Sequence, residues 1–296
     1  MALTLAEAAK LSNDVLLTGI VETIINDSPV LQTLPFIEIV GNGLTYNREN
    51  AAPTVSFFDV GDTWTESTST FTQLTATLKI LGGDADVDNF LAKTRSNLQD
   101  LEAAVVQLKA KAVQQKFDDT FVNGDSSADT KAFDGIDKLC VSGQTASMGT
   151  NGGTLTLEKL DELIDKVKGG KPELLIMSKR SRRKLTSLSR GTGSGVLETD
   201  RNQLGQVVQF YNGIPVGVSD WVADNKSVGN ASDCSTVYAV AYGEGALAGL
   251  TAPGGLTVER VGSLETKDAT RTRVKWYVAL ALFNTLKLAK LAGVRD

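Results

Sequence analysis

The sequence predicts an α+β fold, and three patterns along the chain support this class. Apolar residues from Phe36 to Leu81 alternate with polar ones, as they do in β-strands. From about Ser96 to Phe121 they recur every three or four residues, which is typical of one long amphipathic helix. Beyond Asn151, amphipathic segments alternate with short apolar runs, which indicates a mixed α/β part.

Composition excludes several classes of function. The 296 residues are enough for one large domain or two subdomains. A net charge of -5 argues against a protein whose main task is to grip nucleic acid. The chain has no histidine, so histidine-activated nucleophiles and histidine-ligated metals are excluded. Cys140 and Cys234 are far apart and predict two buried thiols, and we expect neither an enzyme nor a bound cofactor or metal.

No segment has the length and composition of a membrane span. The most apolar stretch, residues 278–291, is too short and contains Asn284, Lys287 and Lys290. The first residues also lack the basic and apolar regions of a secretory signal. We therefore expect no membrane association and assembly inside a cell.

The N-terminal segment is predicted to be a helix with a broad apolar face. Thr4 and Glu7 form a capping box, and the helix is expected to end before Pro29. One stripe of its apolar face consists of Leu16, Ile20 and Ile24. This face is expected to pack either on the protein's own core or on a neighbouring molecule.

Residues 36–81 are predicted to form a long two-stranded excursion. Alternating apolar residues on both sides of Gly41-Asn42-Gly43 predict a local hairpin, and residues 72–81 alternate as a returning strand. Between them, residues 51–72 are rich in Ser, Thr, Gly and acidic residues and cannot build a core of their own. This part nevertheless contains four aromatic residues: Phe57, Phe58, Trp64 and Phe71. We expect it to extend as a loop or arm that docks elsewhere.

The long helix of residues 96–121 is predicted to be a structural spine about 35 to 40 Å long. Its expected buried stripe is Leu98, Leu101, Val105, Leu108 and Ala112. After residue 151, Leu157 to Val167 predict an amphipathic helix and Leu174 to Met177 a buried strand. Ser178 is expected to cap a basic helix that reaches Arg190. Further strands are predicted at residues 207–210, 214–218, 237–242, 256–261 and 273–283.

Three groups of residues partly match known ligand-binding motifs. Gly243, Gly245 and Gly249 imitate a dinucleotide-binding loop, but Pro253 leaves no room for the helix that such a loop requires. The three glycines of residues 191–195 lack a phosphate-loop Lys-Ser/Thr and predict a mobile loop. Asp84, Asp86 and Asp88 start like a calcium loop but depart from its pattern, so we expect them to face solvent or another subunit from one face of a strand.

The densest basic cluster is predicted to be an exposed or intersubunit ion-pairing face, with nucleic-acid contact as the alternative. It comprises Lys179, Arg180, Arg182, Arg183 and Lys184.

The order of these parts resembles the HK97-type major capsid protein of tailed bacteriophages. The resemblance is carried by residues 28–36 (SPVLQTLPF), 44–49 (LTYNRE) and 78–84 (LKILGGD), which look like the arm-to-hairpin junction and the base of the extended loop. It implies an N-terminal arm at 1–35, an extended loop at 36–83 and a peripheral domain with the spine helix at 84–150. It further implies an axial domain at 151–250 and C-terminal strands that return to the peripheral domain at 251–296.

The resemblance also implies a function. The chain would form pentamers and hexamers of an icosahedral shell around double-stranded DNA, in a virion assembled in the host cytoplasm. Decoration, portal and scaffolding proteins are implied as partners, although a sequence that starts at the arm would use a separate scaffold or none. The alternatives are an encapsulin-like nanocompartment shell and, more distantly, a glycine-loop nucleotide-binding enzyme. The predicted intersubunit residues are Leu16, Ile20, Ile24, Phe57, Phe58, Trp64, Phe71, Arg180 and Arg183.

Overall fold

A computed structural model of the protein describes residues 28–51, 53–90, 101–192, 197–201 and 207–295. The predicted N-terminal helix, with Leu16, Ile20 and Ile24, lies outside the described residues, as does most of the glycine loop at 191–195. The described helices are α1 (Pro29–Thr33), α2 (Leu101–Asn123), α3 (Ile136–Leu139), α4 (Leu157–Lys166) and α5 (Lys179–Thr192).

The described strands fall into three groups. A four-stranded sheet contains β1 (Phe36–Glu38), β4 (Lys79–Asp88), β13 (Leu247–Ser263) and β14 (Ala269–Leu282). A hairpin consists of β2 (Gly43–Ala51) and β3 (Thr70–Thr77). A nine-stranded sheet contains β5 (Thr145–Ser147), β6 (Gly153–Thr154), β7 (Leu174–Met177), β8 (Leu197–Arg201), β9 (Val207–Tyr211), β10 (Ile214–Val218), β11 (Lys226–Val228), β12 (Ala231–Val240) and β15 (Leu288–Arg295).

The two sheets are joined by the last strands of the chain. The four-stranded sheet has the order β1-β13-β14-β4, in which β1 is parallel to β13 and the other pairs are antiparallel. The main path of the nine-stranded sheet is β5-β15-β12-β7-β10-β9-β8. The segment 251–296 is therefore divided, because β14 belongs to the first sheet and β15 to the second.

The long excursion is confirmed, but the local hairpin at Gly41-Asn42-Gly43 is wrong. Strand β2 pairs with β3 from Gly43 opposite Thr77 to Ala51 opposite Thr70. Strand β1 instead pairs with β13, where Phe36 is opposite Gly249. The Phe36 ring lies against Gly249, at a place where any Cβ atom would clash with the ring. This long-range packing outweighs the turn signal.

The spine helix α2 is present, and Val105 of the predicted stripe is partly buried against the core, but the stripe is wrong at two positions. Leu98 and the side chain of Leu101 lie outside what the structure describes. Leu108 is 69% exposed and Ala112 is also exposed. The buried positions are Val106, Ala110, Val113, Phe117 and Phe121. They belong to one hydrophobic core that also contains Val274, Trp276 and Val278 of β14 and Ile176, Tyr238 and Val240 of the nine-stranded sheet. Helix α2 therefore fills the space that both sheets share.

The residues around Pro29 begin a new helix, where the sequence predicted only the end of one. Proline fits the first turn of a helix because an N–H group at that position would have no hydrogen-bond partner within the helix. The Ser28 side chain caps α1 by accepting a hydrogen bond from the Leu31 N–H at 3.2 Å. Its hydroxyl also donates to Asp118 of α2 at 2.7 Å, and both side chains are buried. This pair fixes the start of the described chain to the spine helix.

Asp118 makes the stability of this junction dependent on pH. Burial raises the pKa of the Asp118 carboxyl to about 6, although hydrogen bonds from Ser28 and Gln114 lower it. Because the pKa is higher in the folded than in the unfolded chain, the neutral acid favours folding, and this contribution is lost as the pH rises through 6. We expect Asp118→Asn to be more stable than the wild type at pH 7.5, by about 1 to 3 kcal/mol.

The measurement is urea denaturation of both proteins between pH 4.5 and 8. The advantage of the variant should shrink by about 1.4 kcal/mol per pH unit below pH 6. Other carboxylates titrate equally in both proteins. The difference between their free energies of unfolding therefore reports the titration of Asp118 alone. A difference that does not change with pH would contradict the assignment.

Candidate functional site

Hairpin β2–β3 and the residues that connect these strands form a projecting loop, residues 43–77, whose base is anchored. The Tyr46 hydroxyl donates to the Leu282 carbonyl at 3.1 Å, and the Arg48 guanidinium donates to the carbonyls of Leu282 and Phe283. The rings of Tyr46 and Phe283 meet edge to face at 4.9 Å. The first part of the loop is therefore held against the end of β14.

The outer part of the projecting loop has no such anchor among the described residues. From residue 53 to residue 68, every side chain is exposed except that of Phe58, which is half-buried. Phe57 is completely exposed and Trp64 is 78% exposed, and Val55, Val60 and Phe71 are also exposed large apolar residues. Exposed apolar groups at this density are typical of a surface that another molecule covers.

The tip of the loop has a defined shape. The rings of Phe58 and Trp64 stack at 4.5 Å with an interplanar angle of 22°. The Asp59 N–H donates to the Asp62 carboxylate at 2.7 Å, and the Thr54 N–H donates to the Ser67 hydroxyl at 2.7 Å. These contacts hold the tip in one arrangement, so less entropy is lost when it docks.

One face of the four-stranded sheet carries a ladder of ion pairs between β4 and β14. Arg273 binds Asp84 through two hydrogen bonds of 2.6 and 3.0 Å, and Arg271 binds Asp86 through bonds of 2.6 and 2.8 Å. Hydrogen bonds from these guanidinium groups hold the pKa values of both carboxyls below their ordinary range. Lys267 adds a second partner to Asp86 at 3.3 Å.

This ladder corrects the expectation for the three aspartates. Asp84 and Asp86 lie on one face of β4 as predicted, but they pair with Arg271 and Arg273 of β14 in the same chain, where solvent or another subunit was expected. Within the described residues, no group of three or more acidic or cysteine side chains could hold a metal ion. The two thiols, Cys140 and Cys234, are free and buried, as predicted.

The basic cluster lies on α5, which Ser178 caps as predicted by accepting from the Ser181 N–H. Arg180 is used within its own chain, because its guanidinium donates to the carbonyls of Asp233 and Val294. Arg183 is exposed. The intersubunit roles predicted for both arginines, and for the aromatic residues of the loop, stay predictions.

The glycines after β12 form a turn between two strands. Gly243 has a φ of +124°, and the chain passes from β12 directly into β13 without a helix. A dinucleotide site needs a helix N-terminus at that point, so these residues do not have the required geometry.

One polar cluster could not be predicted from the sequence. Lys226 and Lys290 donate to the Asp137 carboxylate at 2.9 and 3.0 Å, and the Tyr238 hydroxyl donates to it at 3.0 Å. Although burial acts against it, these lysines hold the pKa of Asp137 below its ordinary value. The four residues are far apart in sequence, and no spacing signals their meeting. They connect α3 to β11, β12 and β15, so their role is to fix the junction of these elements.

No helix in the described parts of the chain is long and apolar enough to cross a lipid bilayer. The described surface has three features suited to contact with other molecules: an anchored loop with exposed aromatic residues, a charged sheet face and a basic helix.

Comparison with solved structures identifies the fold. The holo-SrpI encapsulin complex from Synechococcus elongatus matches with a TM-score of 0.71 and 17% identity, over 90% of this chain and 86% of that one. Mycobacterium phage Bobi matches with a TM-score of 0.63 and 13% identity, over 91% of each chain. The capsid of the native GTA particle matches with a TM-score of 0.63 and 13% identity, over 90% of each. The chain thus has the HK97-like fold of capsid and encapsulin proteins, as the sequence predicted.

The sequence itself gives the family. The model of the phage capsid family matches residues 11–292, whereas no curated protein matches the sequence. The chain belongs to the phage capsid family and is a structural capsid shell protein.

Proposed function

We propose that this chain is the major capsid protein of a tailed phage, and that its copies assemble into an icosahedral shell around double-stranded DNA. Family membership supports the phage assignment. The observation that supports the assembly step is the projecting loop, whose apolar side chains are exposed and not covered by the described residues of their own chain. Burying such surface on sister subunits contributes about 25 cal/mol per Å², repeated at every symmetric contact.

The proposal includes the partners and the location of such a shell. The subunits form pentamers and hexamers, and scaffolding, portal and decoration proteins act with them in the virion, which is assembled in the host cytoplasm. A net charge of -5 suits a container for DNA, because a subunit that is acidic overall does not hold the incoming polyanion tightly.

An encapsulin-like nanocompartment is the second candidate, because the fold also matches the holo-SrpI encapsulin complex. The two functions differ in content, since a nanocompartment encloses a protein cargo and a phage capsid encloses a genome. The match to the phage capsid family favours the capsid.

Electron microscopy of the purified recombinant protein tests the proposal. We expect closed shells or rings of subunits, without a host enzyme in stoichiometric amount inside them. Shells filled with one co-purified enzyme would favour the nanocompartment. Sedimentation of monomers alone, at every concentration up to the solubility limit, would contradict self-assembly.

A further inference from the structure

The projecting loop carries negative charge beside its exposed aromatic residues. Between Arg48 and Lys79 the sequence contains no lysine or arginine, but it contains four acidic residues: Glu49, Asp59, Asp62 and Glu66. All four side chains are exposed, and none forms an ion pair among the described residues. The Asp59 and Asp62 carboxylates accept only backbone N–H groups of the tip, at 2.8 and 2.7 Å. A surface that receives this tip must therefore supply cations as well as apolar contact.

Helix α5 has the complementary chemistry. It contains six basic residues and no acidic one. Four of the basic residues are exposed at spacings that place them on one side of the helix, and they will be called the basic face: Lys179, Arg182, Arg183 and Arg190. Lys179 pairs with Asp220 at 2.7 Å, whereas the side chains of Arg182 and Arg190 form no hydrogen bond or ion pair with a described residue. The basic face extends over about 16 Å along the helix.

Short side chains interrupt the basic face and leave a notch for an aromatic ring. Between Arg183 and Arg190, the solvent side of α5 carries Thr186 and Ser187. The two arginines lie about two turns apart, so the notch is roughly 10 Å long, which is enough for one ring and its contacts. Guanidinium groups attract the faces of aromatic rings, and tryptophan gives the strongest contact. Trp64 at the loop tip is 78% exposed and therefore matches this notch.

No other α-helix in the described parts of the chain offers such a face. Helices α2, α3 and α4 contain basic residues, but each also contains acidic ones, and α1 contains neither. Lys116 on α2 and Lys159 on α4 pair with carboxylates of their own helix, at 3.1 and 2.6 Å. Because the cations without a neutralising carboxylate are concentrated on α5, this helix is the best match for the acidic loop.

We propose that the tip of the projecting loop docks on the basic face of helix α5 in a second copy of this chain. The loop carboxylates pair with Arg182 and Arg190, and the Trp64 ring lies against the guanidinium groups at the notch. Within one subunit the tip and the basic face are both exposed, so they do not cover each other. Strand β2, which is nine residues long, carries the tip about 30 Å from the anchored base, far enough to reach a neighbour. This inference rests on the proposed assembly function and names the surface that receives the loop.

Reciprocal charge reversal in the full-length chain tests this contact. The loop variant is Asp59→Lys with Glu66→Lys, and the helix variant is Arg182→Glu with Arg190→Glu. These side chains are exposed and form no ion pair among the described residues, so neither variant removes an ion pair from the described fold. A combined variant carries all four substitutions, whose charges cancel, and keeps the net charge of -5. Association is measured by analytical ultracentrifugation and electron microscopy, and folding by circular dichroism.

We expect the loop variant and the helix variant to fold but to associate at least about tenfold more weakly than the wild type, because like charges then face each other. The combined variant should recover association, since its charges are exchanged and again complementary. The matched control is Lys111→Glu with Lys168→Glu, which changes the net charge as the helix variant does, but at exposed lysines outside α5. This control should associate as the wild type does.

Several results would overturn this contact. Either reversed variant could associate as the wild type does, or the combined variant could be folded and still fail to recover. A control that weakens association as much as the helix variant would show an effect of net charge alone. Loss of DNA retention in the helix variant, with normal association, would assign the basic face to nucleic acid. Each of these leaves the proposed shell function standing. A wild-type chain that never associates would instead remove the shell function and the contact together.

Discussion

Replacement of Phe117 by alanine should destabilise the subunit by about 3 to 5 kcal/mol. Phe117 is completely buried in α2, where its ring lies 4.9 Å from that of Trp276 and 6.2 Å from that of Phe36. Phe133 and Phe121 complete the surrounding aromatic cluster. The alanine variant leaves a cavity among rings from four separate segments, which cannot all collapse into it.

Leu108→Ala is the matched control, because it is also a large-to-small change on α2 but at a side chain that is 69% exposed. We expect this control to change stability by less than about 0.5 kcal/mol. Urea denaturation of unassembled subunits gives both values. Equal effects of the two substitutions would mean that α2 does not form the centre of the shared core.

Local sequence patterns were sufficient to predict the elements that bury one side against their immediate neighbours. Helix α4 was predicted from the spacing of its leucines, and strand β7 from four consecutive apolar residues, all of which are buried. The long excursion was predicted because a polar segment separates two alternating stretches. The candidate loop residues could be named for the same reason, since aromatic residues in a segment without a core need cover from elsewhere.

Long-range packing decided the features that the sequence did not predict. Strand β1 pairs with β13, more than 200 residues later, and the Gly41-Asn42-Gly43 signal carries no information about that pairing. On α2, Leu108 is as apolar as Phe117, but only Phe117 faces both sheets. The partners of Asp84 and Asp86 follow from the register of β14 against β4, which alternation alone does not fix.

The double substitution Phe57→Ser, Trp64→Ser should leave the subunit folded and abolish shell formation. Both side chains are exposed in the subunit, so their loss costs little folding energy. If both are buried on a neighbour, each contributes about 2 to 3 kcal/mol per contact, and losing both weakens a contact roughly 1,000-fold or more. Because a closed shell repeats this contact at every subunit, the loss should appear in electron micrographs as free subunits or small oligomers in place of shells.

The matched control is Ser56→Ala, Thr68→Ala, which truncates two exposed polar side chains of the same loop and should assemble as the wild type does. Equal melting temperatures of the unassembled proteins would show that the aromatic substitutions act on association and not on the fold. Normal shells from the Phe57→Ser, Trp64→Ser variant would contradict the docking role of the loop. Other surfaces of the subunit would then have to supply most of the association energy, and charged surfaces would make assembly strongly dependent on salt. Measuring the salt dependence of assembly for the aromatic variant and its control therefore separates the apolar contribution of the projecting loop from electrostatic contributions elsewhere on the subunit.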